Sequence, residues 1–146
     1  MTKNKYIKTV QPSQIVNFIW FVLPVIFLFF PPLMMVFIII AIYKFYDVDT
    51  WKYNFHEQTI EERRGVFDVV QSQVYYYRIK SIMVEQPFFM RIFGLSVIHI
   101  VTSEQFKPRL IIYGVYYGED LKEFISDLSY DWRLKMNIRD HDIYNI

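Results

Sequence analysis

The sequence predicts an α+β chain: an N-terminal transmembrane helical hairpin, then an antiparallel β-barrel or sandwich carrying a C-terminal capping helix. Three observations predict it. The run from Ile15 to Tyr43 has no charged residue and leaves the aliphatic, aromatic and methionine set only at Asn17, Pro24, Pro31 and Pro32. After Asp49 the texture changes to short β-branched and aromatic stretches in which no helical stripe lasts two turns, the pattern of strands. Near the end, "GEDLKEFISDLSYDWRLKM" places Leu121, Phe124, Ile125, Leu128 and Trp132 on one stripe, the signature of an amphipathic helix lying on a sheet.

The 146 residues suit one domain of about 100 residues plus an appendage. A composition 53% hydrophobic and 20% aromatic excludes disorder, and a net charge of +1 gives no warrant for a nucleic-acid partner. The absence of cysteine excludes disulfides and thiolate metal sites. Lys3, Lys5 and Lys8 ahead of an apolar run suggest a signal peptide, but the run is about twice the usual 7 to 15 residues and lacks a small-x-small cleavage site.

One helix through the whole run would rise about 44 Å, against a hydrocarbon core of about 30 Å. Pro31 and Pro32 offer a break instead, because a proline lacks the donor a helix interior needs and biases its predecessor away from helical geometry. The expected legs are "SQIVNFIWFVLPVIFLFF", capped by Ser13, and "LMMVFIIIAIYKFY", extended by a turn through "DVD". Lysines and arginines flank both legs (Lys3, Lys5 and Lys8 before; Lys44, Lys52, Arg63 and Arg64 after), while the bend has no charge. That distribution puts both termini and the β domain on the cytoplasmic side of the inner membrane, in a multi-pass arrangement. A single kinked helix, or a hairpin that dips in without crossing, stays open at this point. The expected divisions are an N-terminal cytoplasmic arm at 1–12, the hairpin at 13–48, the β domain at 50–134 and a frayed polar tail at 135–146.

Six or seven strands are expected. "KYNFHE" and "TIEERR" form the first pair, with Arg64-Gly65 turning into "VFDVVQSQV". "YYRIKSIMVE" is a half-buried strand ending at Pro87, and "PFFMRIFG" is one or two helical turns carrying Phe88, Phe89 and Ile92 inward, stopped by Gly94. "LSVIHIVTS" and "RLIIYGV" complete the sheet before the terminal helix.

These segments resemble the bacterial pleckstrin-homology-like domain family fused to membrane helices. "QPS" before the hairpin, "YNFHEQTIEERRGVF" after it, "YRIKSIMVEQPFFMRIFGLSVIHIVT" in the middle and "LIIYGVYYGEDLKEFI" near the end follow that family in order and spacing. The most specific part is Arg78-Ile79 followed by Arg91, Phe93, Gly94 and Leu95. His56-Glu57 replaces the Thr-Asp pair usual in the family, and "VYYYRI" lacks the proline common before the Arg-Ile step. The resemblance implies a PH-like barrel with a capping helix on the cytoplasmic side, and it implies no ligand.

Catalytic chemistry finds no footing: His56, His99 and His141 form no local metal pair, no phosphate loop or nucleophile motif is present, and no cofactor is expected. Binding has more to work with. Arg63, Arg64, Arg78 and Lys80 are basic candidates for facing an anionic leaflet. In Tyr75-Tyr76-Tyr77 the middle ring must face opposite to its neighbours, leaving an aromatic for a contact. Pro31, Pro32, Gly65, Arg91, Gly94 and Trp132 are expected to serve the fold. The expected function is a membrane-anchored scaffold or interaction module without catalytic activity, its partners the lipid bilayer and a membrane protein or second copy. The alternatives are recognition of anionic lipid headgroups and membership of an oligomeric membrane complex.

Overall fold

In the computed structural model, which describes residues 6–137, the chain enters its apolar segment through a capped turn. Ser13 is extended, its Oγ accepts the Ile15 amide, and a 3-10 turn over Gln14–Asn17 leads into helix α1, Phe18–Ile26. Helix α2 runs Pro31–Thr50. The reversal therefore falls at residues 27–30, and the two prolines are the first two residues of α2 rather than the turn itself. At those positions proline's fixed φ suits the helix and its missing donor would have had no partner. The Phe30 amide bonds the Phe27 carbonyl and the Met34 amide bonds the Phe30 carbonyl.

This corrects the expected lengths. The first leg stops at Ile26 because the chain needs residues 27–30 to reverse. With its 3-10 turn it rises only about 20 Å, while the 20 residues of α2 rise about 30 Å. Among the described residues one helix, not two, is long and apolar enough to cross a membrane. Asn17 bonds the Lys44 carbonyl at 2.7 Å, and Gln14 bonds the Phe45 carbonyl at 3.2 Å, tying the two legs at their base.

The β domain has seven strands among the described residues: β1 Tyr6–Val10, β2 Lys52–His56, β3 Thr59–Arg64, β4 Val70–Tyr75, β5 Ile79–Glu85, β6 Leu95–Thr102 and β7 Arg109–Tyr116. They form two antiparallel sheets, β1-β2-β3-β4 and β5-β6-β7. Residues expected in a separate arm thus supply a strand: β1 pairs with β2 through Val10 and Tyr53, so the hairpin is inserted between two neighbouring strands. Lys3, Lys5, His141 and the tail beyond residue 137 lie outside the described residues.

Alternate side chains of the two sheets meet in one core, Tyr53, Phe55, Ile60 and Val74 facing Ile98, Ile100, Leu110 and Ile112. Helix α4, Gly118–Lys135, closes it with Leu121 and Ile125 buried and Phe124, Leu128 and Trp132 packed at the rim, the stripe expected from the sequence. Glu119 and Asp120 stand in its first turn and Arg133 and Lys135 in its last, each suited to the helix dipole. The short helix α3, Phe88–Ile92, links β5 to β6. Its orientation differs from expectation: Met90 is buried against Leu95 and Val97, while Phe88, Phe89 and Ile92 point outward.

Candidate functional site

The two ends of the β domain have different chemistry. One end carries the hairpin. There β2 leaves α2, and Lys52 pairs with Arg63, so the close of β3 lies beside the hairpin base. The Arg64 guanidinium lies 4.0 Å above the Trp51 ring and 3.1 Å from the Asp47 carboxylate. Trp51 is parallel to Tyr113 of β7, and its indole donates to Glu62, whose other oxygen also accepts from Lys107. Arg64, an exposed residue of β3, thus ties its strand to the end of α2, and Trp51 carries the contact on to β7. Asp47 and Trp51 carry no site signal in the sequence, since their meeting with Glu62 depends on the α2–β2 junction. Arg63 is exposed at the same end.

Gly65 follows with φ 123, where a Cβ would lie 1.9 Å from the Asp68 carbonyl oxygen. The position admits only glycine, and the turn it makes projects Phe67, which is parallel to Tyr43 of α2 with centroids 6.2 Å apart. On the other side of the base Ser13 donates its amide to the Gly114 carbonyl at 2.8 Å. Gly114 has φ 63, and Val16 fills the space its side chain would need. Gly94 ends α3 at φ 68, and Arg91 is exposed on that helix.

The other end gathers the remaining candidates. Thr59 pairs with Tyr75 and Arg64 with Val70, so Tyr75 stands roughly 16 Å along β3 from the hairpin end. Residues 76–78 form a 3-10 turn rather than the expected strand start. Tyr76 is 0% exposed; its hydroxyl donates to the His56 carbonyl, its own carbonyl accepts from Ser129 of α4, and burial pushes its phenol pKa up. Tyr75 and Tyr77 lie outside with ring centroids 5.5 Å apart. Arg78 donates from Nε to the Tyr77 hydroxyl and from Nη1 to Glu104, both at 3.2 Å. Lys80 is half-buried beside α4. The four basic candidates thus fall into two groups, Arg63 and Arg64 at the hairpin end, Arg78 and Lys80 at the far end.

Trp132 donates its indole to the Glu57 carbonyl at 2.6 Å with Lys135 over its ring, locking the end of α4 to the β2–β3 turn. The two described histidines are engaged in pairs: His56 with Glu61 at 2.8 Å, which holds the Glu61 carboxyl below the usual range, and His99 with Glu85 at 3.1 Å. Among the described residues no three His, Cys, Asp or Glu side chains gather as a metal site.

A family model described as "Bacterial PH domain" matches residues 7–129. The crystal structure of a DUF1696 family protein with a pleckstrin-homology domain from Shewanella loihica PV-4 is similar, with 18% sequence identity, coverage of 56% of this chain and 73% of that one, and a TM-score of 0.45. No curated protein matches.

Proposed function

The chain belongs to the bacterial PH domain family, a non-catalytic class of module, and on that premise we propose that it is a membrane-tethered interaction protein whose Tyr75, Tyr77 and Arg78 face a protein partner. The observation that carries this reading is position. These residues form a partly exposed aromatic surface, with Tyr75 the most open and the Arg78–Glu104 ion pair at its edge, at the end of the sheet farthest from the hairpin. Tyrosine and arginine are the residue types that give protein contacts most of their energy.

The tether is the hairpin, whose outer faces are apolar and uncovered, with Phe29 89% exposed at the tip. Surface of that kind is a membrane or partner contact. Because β1 and β2 are neighbours in one sheet, both ends of the hairpin lie on one side, and the first leg is too short to span. In this reading the hairpin enters the inner leaflet and returns. Trp20, Tyr43, Lys44 and Tyr46 form its interfacial belt, and the domain divides into β1 plus 52–135 around an inserted anchor.

Single cysteines introduced at 29, at 80 and beyond 137 test the topology. A membrane-impermeant thiol reagent should reach the latter two only after the cell is opened and residue 29 not at all from outside. Labelling of residue 29 in intact cells would show a spanning hairpin.

A photo-crosslinking side chain at position 75 or 77 in native membranes tests the function. The expected result is one defined adduct, lost on Arg78→Glu. A second reading, attraction to anionic headgroups, is favoured by exposed Arg63 beside the hairpin base. It requires vesicle affinity that falls steeply with salt and with Arg63→Glu. That outcome, with no adduct at 75 or 77, would reverse the order of the two readings.

A further inference from the structure

Apolar side chains protrude from the β domain on both sides of the hairpin base. On the α1 side, α3 presents Phe88, Phe89 and Ile92, with Phe89 76% exposed, and Phe93 packs 6.0 Å from Phe18 of α1. Between α3 and α1 runs an open apolar groove of about 520 Å³ whose walls include Ile15, Ile19 and Val22 from the hairpin and Phe89 and Ile92 from α3. On the α2 side, the β3–β4 loop presents Phe67, 84% exposed beside Tyr43, with Val69 after it. No acidic residue lies within α3, and Arg91 is its one charge.

A water-facing protein gains nothing from Pro-Phe-Phe at a strand connection, where polar residues would serve. These side chains are instead continuous with the apolar surface of the hairpin, and cations stand at their edge: Arg91 on α3, Lys44 over Trp20 and Arg64 over Trp51. Apolar bodies beside basic headgroup-level charges fit a phospholipid leaflet. We propose that α3 and the β3–β4 loop seat the domain on the bilayer that receives the hairpin, their side chains entering the acyl-chain region of phospholipids on either side of the anchor. The seating rests on the reading of the hairpin as membrane-inserted. It fixes the domain's tilt and holds Tyr75 and Tyr77 pointing away from the surface. Asp68 beside Phe67 keeps that loop shallower than α3.

The test uses the full-length protein, which has no cysteine of its own. Phe29→Cys, Phe67→Cys, Tyr75→Cys and Phe89→Cys each carry an environment-sensitive dye in vesicles of zwitterionic and anionic phospholipid. Lipids spin-labelled near the headgroup should quench the dyes at 89 and 67, more strongly at 89. Lipids labelled near the chain end should quench 29, and neither should quench 75. Quenching at 29 with 67 or 89 no more quenched than 75 overturns the seating and leaves the anchor standing; no quenching at 29 overturns the anchor and the seating with it. As an independent check, Phe88→Ser with Phe89→Ser and Ile92→Ser should reduce quenching of the dye at 67 several-fold, and unchanged quenching there refutes joint seating.

Discussion

Glu61 shows how much one side chain can couple stability to acid. Its carboxylate accepts from buried His56, and this bond lowers its pKa more than burial raises it, with Gln71 and Asn54 reinforcing the shift. A carboxyl whose folded pKa lies below its unfolded one stabilises the fold above the ordinary carboxylate range and loses that contribution as pH falls through the depressed value. Glu61→Gln should therefore cost about 1–2 kcal/mol at neutral pH and narrow the gap to the parent in acid. Urea unfolding across that range measures it. Gly114 matters to stability for a steric reason: Gly114→Ala forces a side chain into a left-handed backbone and against Val16. A loss of about 2–3 kcal/mol is expected, with part restored by Val16→Ala in a double-mutant cycle, since the two residues share one space.

At the scale of elements, α4 was legible because five apolar residues recur at one period and need no knowledge of their partners. Trp132→Asp tests it: the change removes the bond to the Glu57 carbonyl and places a charge at the core rim. We expect a loss of about 2–4 kcal/mol, read as a lower melting midpoint with the helix end frayed in hydrogen exchange. Strand alternation was the reason for expecting Tyr76 opposite Tyr75 and Tyr77, whereas Tyr76 turns inward from a 3-10 turn over 76–78. Other elements were not legible. β1 carries a five-residue pattern whose partner arrives after the hairpin, so local periodicity has nothing to register against. Pro31 and Pro32 marked a boundary correctly, but a proline suits a turn and a first helical turn alike. In α3 the sequence shows which residues are apolar, while only the packing of Met90 against Leu95 decides which face turns inward. The Arg64–Trp51–Asp47 contact was hidden because it joins three separate elements.

For the whole molecule, the pairing of Val10 with Tyr53 makes the helical hairpin removable. Replacing residues 11–52 by Asn-Gly, a two-residue link suited to antiparallel strands, should give a domain that stays in solution and melts cooperatively. It should be less stable than the parent through loss of Trp51 and Val16. Circular dichroism and sedimentation would check both statements; a non-cooperative melt would mean that the hairpin base is part of the core. A fragment starting at residue 50 should fare worse, since it also lacks β1 and uncovers the edge of β2.

The insertion of the hairpin between paired strands also sets the order of folding. Thr9 and Asn54 are hydrogen-bonded across 45 positions of sequence, a separation that makes ladder closure slow and entropically costly in a free chain. Once α1 and α2 have zipped together, their bases are adjacent and the same closure spans only a few mobile residues. Under the proposed membrane insertion, lipid would act as a folding template. In refolding followed by pulsed hydrogen exchange, amides of β2 and β3 should be protected at the same rate with or without vesicles. Those of β1 should gain protection markedly faster when vesicles are present.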